Sequence, residues 1–191
     1  MSAAAFDNTM LSILLNPDGA VPLDENKKPV ELARERAESI IHGLEKARRK
    51  IILPTPACAE LLTAIGPDAQ QYINIIGRSR LFDVASFDAR CAAELALLNR
   101  DTFRAGDLRD KAEPYQKVKV DRQIIAICRV NNVTDLYTDD KSLGHRARLC
   151  GITPISIAEV PIPESELQTK LALEPHDDIA EADRDADEVN S

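Results

Sequence analysis

Five carboxylates in this chain are of the type and placement that could handle a metal or a proton: Asp7, Glu60, Asp121 and the adjacent pair Asp139 and Asp140. They stand in "AAFDNTM", "TPACAELL", "KVDRQII" and "LYTDDKSL", each beside an apolar run. If folding gathers three or four of them, their repulsion is large. Two like charges about 4 Å apart cost on the order of 4 kcal/mol at an effective dielectric near 20. Such a cluster persists only with protons or cations. An all-oxygen donor set fits a hard divalent cation, Mg2+ or Mn2+, held by carboxylates and waters. A metal would also explain why no lysine stands at the core end of the strand before Asp139 and Asp140. Each acid has an ordinary structural use as well. Asp7 can cap "NTMLSILL", Asp121 can cap a helix, and Asp139 or Asp140 can serve a turn or the next helix. Glu60 can simply face solvent from an amphipathic helix.

The elements that must position these acids are legible as alternating apolar patterns. Residues 3–6, 50–54, 80–86, 135–138 and 152–157 read as five strands. Helices are expected at 9–16, at 30–49, around Glu60, after Pro67 with Tyr72, Ile73, Ile75 and Ile76 inward, at 89–100, at 121–132 and at 142–149. Residues 17–29 and 101–118 read as loops, the second with one helical turn. Strands alternating with helices predict an α/β fold with a parallel sheet. In such a sheet ligands bind beyond the carboxyl ends of the strands, where the strand order reverses. Asp7, Glu60 and the Asp139–Asp140 pair share that edge. Asp121, opening the helix before the fourth strand, reaches it if the preceding loop returns there.

Composition narrows the function classes. The chain has 191 residues, 44% of them apolar, enough for one full core. Aromatics make up 4% and tryptophan is absent, so stacking on exposed bases is not an obvious binding device. The formal charge of −8 is uneven: Glu159–Ser191 holds eleven acids against two bases, leaving residues 1–158 at a net +1. An anionic substrate is therefore compatible with the body of the protein. The cysteines Cys58, Cys91, Cys128 and Cys150 form no CxxC pair and read as buried free thiols in a reducing compartment. No stretch of about 18 apolar residues exists, and the N-terminus lacks a signal-peptide pattern, so a cytoplasmic protein without a membrane span is expected. The expected organisation is a domain over 1–158, with an extended loop and long helix at 24–50, and an acidic, disordered tail over 159–191.

These residues resemble the PIN-domain family, and its VapC-like ribonuclease toxins in particular. "FDNTMLSILL" is similar to that family's opening strand and first acid, and "LPTPACAELL" to its second-acid helix. "KVKVDRQIIAICRVNNVTDLYTDDKSLGHRARLCGI" is the most specific stretch, with an acid opening a helix and another after a strand ending in threonine. The resemblance spans residues 3–158. It implies a PIN-like three-layer α/β/α fold around a central, mostly parallel five-stranded sheet. It implies a quartet of Asp7, Glu60, Asp121 and Asp140, with Asp7, Asp121 and Asp140 as direct or water-mediated ligands of Mg2+ or Mn2+. Glu60 would be a ligand or the base that orients the attacking water. Thr9 and Thr138 match supporting positions, and Asp139 assists or caps. The implied activity is metal-dependent hydrolysis of phosphodiester bonds in single-stranded RNA, with a small antitoxin and a second copy of the chain as expected partners. The longer helical segment at 24–50 and the acidic tail depart from compact members of the family.

Basic residues must draw RNA toward an acidic site. Lys117, Lys119 and Arg122 flank Asp121, and Lys141, His145, Arg146 and Arg148 flank Asp140. They can hold phosphates, or simply form a solvated helix face. Two other readings compete. The fold could be a binding module with idle acids, using helix 30–49 as its surface. A phosphatase-type hydrolase is disfavoured, because no DxDx(T/V) loop follows the first strand.

Overall fold

The first strand, β1 (Ala3–Phe6), is buried along its whole length. Its alanines are small, so other elements can close on both of its faces. In the computed structural model, which describes residues 2–16, 19–103 and 114–164, β1 is the centre of a five-stranded sheet. The other strands are β2 (Ile51–Pro54), β3 (Phe82–Ala85), β4 (Val133–Tyr137) and β5 (Thr153–Ile155). Their order is β3-β2-β1-β4-β5, and every pairing is parallel. The expected α/β fold is borne out, with all five strands parallel.

Alternation along β1 sorts the core into two layers, as strand geometry requires. Ala4 and Phe6 pack with Met10 and Leu11 of α1 (Asn8–Leu15), with Ala37, Ile40 and Leu44 of α2 (Ala33–Lys46), and with Leu61 of α3 (Thr55–Ile65). Ala3 and Ala5 face the other layer. That layer holds Cys91 and Leu98 of α5 (Ala89–Leu98), Ile124 to Cys128 of α6 (Tyr115–Val130), and Leu143 and Ala147 of α7 (Lys141–Leu149). The compact unit runs from Met1 to Pro161. It includes a closing turn at Ile157–Glu159, where Ser156 and Glu159 cap each other's backbone and Val160 is buried. The expectation of a disordered tail lies, beyond residue 164, outside the described residues.

Three local expectations are corrected. The helix that carries Asp121 starts at Tyr115, behind Pro114, so Asp121 sits inside α6 instead of opening it. In α4 (Ala69–Arg78) only Ile76 is buried, while Ile73 and Ile75 are each 46% exposed. This helix accompanies the edge strand β3, whose Val84 is also exposed, so only one stripe of it meets the core. Pro67 lies in a single 3-10 turn (Gly66–Asp68) that precedes α4.

Candidate active site at the sheet's switch point

Strand order reverses at β1. The chain builds outward through β2 and β3 on one side, then crosses to β4 and β5 on the other. The crevice for a ligand is therefore expected beyond the carboxyl ends of β1 and β4. Asp7 and Thr138 are the residues that directly follow these two strands.

Asp7 leaves β1 with extended backbone and caps α1, accepting from the Met10 N–H at 3.0 Å. Its other oxygen accepts from Thr138 Oγ1 at 2.5 Å. Thr138 Oγ1 in turn accepts from the Asp140 N–H at 3.0 Å. A short relay thus joins the ends of β1 and β4. Asp7 is only 4% exposed. Burial pushes its carboxyl up to about 7, against the lowering effect of the Thr138 and Met10 bonds, and the charges of Asp139 and Asp140 push the same way. Among the described residues no lysine, arginine or histidine pairs with it.

The two following acids diverge. Asp139 Oδ1 accepts from Ser156 Oγ at 2.5 Å and from the Ile157 N–H at 3.1 Å, while its Oδ2 is buried without a hydrogen-bond partner. Asp140 caps α7 through the N–H groups of Ser142 and Leu143, and Lys117 Nζ stands 2.7 Å from its Oδ2. Both acids and Thr138 line a cavity of ≈ 720 Å³. The cavity is also lined by the loop at Leu23–Asn26, which Asp24 folds by accepting from the N–H groups of Asn26 and Lys28. Lys141 and Arg148 lend positive charge to the same cavity. Gly144 lies where α7 closes on β5: a Cβ there would stand 3.4 Å from the Pro154 Cβ.

Asp121 is placed differently from the expectation. Its Oδ2 accepts from Arg146 NH1 at 2.7 Å, with side chains 6% and 3% exposed, in a buried ion pair between α6 and α7. Arg146 therefore does not offer a surface contact for phosphate, which corrects that assignment. A charged residue on the helix face shared by Leu143 and Ala147 was the sequence signal for its burial. Glu60 is exposed in the second turn of α3 and Thr9 is half-buried in α1. Lys119 covers the Tyr115 ring at 4.6 Å, and Arg122 donates to Asn99 at 3.0 Å. Lys141, at the first position of α7, is exposed. The structure thus brings Asp7, Thr138, Asp139 and Asp140 together at one rim, while Glu60 is exposed on α3. Among the described residues no three His, Cys, Asp or Glu side chains are placed to hold a metal ion as they stand.

The donor chemistry at this rim nevertheless suits a hard cation. Asp7 is buried and short of positive charge, and Asp139 keeps one oxygen free of any bond. The remaining acids already have cationic partners, Arg146 for Asp121 and Lys117 for Asp140.

No family model matches the sequence, and no curated protein matches it. Solved structures similar to the chain include two VapBC complexes. One is VapBC2 from Rickettsia felis bound to a DNA fragment from their promoter, at 14% identity and a TM-score of 0.49, covering 81% of this chain and 98% of that one. The other is DNA-bound VapBC from Salmonella typhimurium, at 14% identity and a TM-score of 0.49, covering 82% and 99%. By its own strand order and two helical layers, the chain has a three-layer α/β/α architecture around a five-stranded parallel sheet.

Proposed function

We propose that the protein is a metal-dependent endoribonuclease that hydrolyses phosphodiester bonds in single-stranded RNA. The observation that carries this reading is Asp7: an acid buried at the switch point, tied to Thr138 across the crevice and, among the described residues, without a cationic partner. Its helix cap and its threonine bond offset only part of the cost of burying the charge.

A bound Mg2+ or Mn2+ would supply charge for the phosphate oxygens and lower the pKa of a water. Asp7 and Asp139 would hold the ion, joined by Asp140 and Asp121 where they release their lysine and arginine. Thr138 keeps the Asp7 carboxylate oriented. The exposed ammonium of Lys141 and the guanidinium of Arg148 position phosphates along the cavity without reading sequence. Glu60, exposed on α3, orients the attacking water only after its side chain swings toward the rim. The resemblance extends the proposal to an antitoxin partner and to self-association, which co-purification and sedimentation would test.

The experiment is cleavage of an unstructured RNA with Mg2+ or Mn2+ by wild type and Asp7→Asn. Loss of at least a hundredfold in rate is expected from removing a ligand of the catalytic ion. Equal rates would remove the nuclease reading. A second reading, a PIN-like binding module with idle acids, is favoured by one observation: the buried Arg146–Asp121 pair already neutralises a quartet member. It predicts RNA or protein binding that neither chelators nor Asp7→Asn weaken.

A further inference from the structure

The other edge of the sheet, at the amino ends of β2 and β3, is built from two short connections. One leads from the end of α2 at Lys46 to Ile51, the other from the end of α4 at Arg78 to Phe82. They lie side by side: the Ile51 N–H donates to the Leu81 carbonyl at 3.0 Å, and Lys50 Nζ donates to the Arg80 carbonyl. Lys46, Arg48, Lys50, Arg78 and Arg80 are all exposed here. Among the described residues none of these five meets a carboxylate, whereas seven other lysines and arginines do. The exposed acids nearest to them in sequence are Glu45 and Asp83, two against five.

We propose that this basic edge is a second RNA contact surface, which holds phosphates of the strand away from the point of cleavage. RNA is the ligand because the inference rests on the nuclease reading. Lys46 and Arg78 also suit the last turns of their helices, where cations favour the dipole. Arg48 has no such use. It takes the left-handed position that closes α2, with φ 55°, while the Arg49 N–H reaches back to the Leu44 carbonyl. That position suits glycine, and α7 ends in the same way on Gly151, at φ 73°. An arginine here costs backbone strain and gains no ion pair in return. Neither connection exposes a large apolar side chain, which a lipid surface would need. Contacts from such cations to phosphates add affinity without reading sequence. The four residues of β2 put this edge about 13 Å from the rim. An RNA of a few nucleotides would therefore meet the rim alone, and a longer one both surfaces.

The test is binding of an unstructured RNA of about 30 nucleotides to the full chain in chelator, read by fluorescence anisotropy. Arg48→Gly, Arg78→Gln and Arg80→Gln together should weaken binding about tenfold at about 0.1 M salt and flatten the logarithmic salt slope by about 2. A control removes three cations elsewhere, Arg34→Gln with Arg90→Gln and Arg100→Gln, and should change both far less. If the first triple variant does not fold, Arg48→Gly alone carries the test. It should raise the thermal midpoint by relieving the backbone, yet flatten the slope by about 0.7. Equal losses in the two triple variants, or no loss in either, would overturn the inference. So would tighter binding to phosphatidylserine vesicles than to RNA at the same salt, which would assign the surface to lipid headgroups. If Asp7→Asn cleaves RNA as fast as wild type while the Arg48 variants lose affinity, the nuclease reading falls and this surface stands. Unchanged affinity in those variants, with cleavage lost in Asp7→Asn, overturns the surface and leaves the nuclease reading standing.

Discussion

Asp7 makes bonds that stabilise the fold, yet burial disfavours the charged form of its carboxyl. Its carboxyl is raised from 3.8 to about 7 by burial. The folded state therefore binds a proton that the unfolded state has released, and stability falls as pH rises between these two values. The full penalty applies above pH 7 and vanishes below about 4. Asp7→Asn mimics the neutral acid: its amide oxygen still caps Met10, and its amide nitrogen can donate to Thr138 Oγ1. At pH 8 in chelator the asparagine variant should resist urea better than wild type, by up to about 4 kcal/mol for a shift of this size. At pH 4.5 the difference should shrink to about 1 kcal/mol, and near pH 3 the two should nearly coincide. A variant less stable than wild type at pH 8 would mean that the cap and the threonine bond outweigh burial. A more stable asparagine variant at pH 8 would mark Asp7 as a residue kept at a cost to the fold and would strengthen a chemical role for this position.

At the scale of elements, Asp140 illustrates how a structural role and a site role overlap. It accepts two N–H groups at the start of α7 and also meets Lys117. The cap is the stronger contribution, because the lysine pair is partly exposed and screened. Asp140→Ala should lower stability by about 1 kcal/mol, while Asp140→Asn should change it by less than about 0.5 kcal/mol. Equal losses in both variants, by thermal unfolding, would assign the effect to the ion pair instead. The cap was legible in sequence, and so were the strands, because short apolar runs ended in acids or prolines. The start of α6 was not: "QKVKV" lacks a clear apolar stripe, and the helix forms there because Pro114 can precede a first turn. Ile73 and Ile75 misled because helical spacing says which residues share a face, not whether a partner covers that face. Arg146 and Asp121 are 25 residues apart, and nothing local to either reports that they meet. Long-range pairing of buried charges is fixed by topology, which is why Asp7 and Thr138 could be placed at one rim while the pairing of Arg146 with Asp121 could not.

For the whole molecule, charge separates along the chain. From Ile162 to Ser191 the sequence holds ten acids and two bases, so this segment carries the entire net charge of −8 and Met1–Pro161 is formally neutral. The proposed RNA substrate would meet local cations such as Lys141 and Arg148 at the rim of β1 and β4, and the acidic segment is expected to compete with it. Ending the chain after Pro161 removes that competitor and leaves Val160 and the turn at Ile157–Glu159 intact. The truncated protein should bind unstructured RNA several-fold more tightly at about 0.05 M salt. The advantage should shrink toward nothing near 0.5 M, where the screening length falls to about 4 Å. Filter binding over a salt series checks both points. The truncated chain should also show a steeper dependence on salt, because cations freed from the acidic segment become available to phosphates. Equal affinities at low salt would show that the acidic segment does not act on the RNA-binding face.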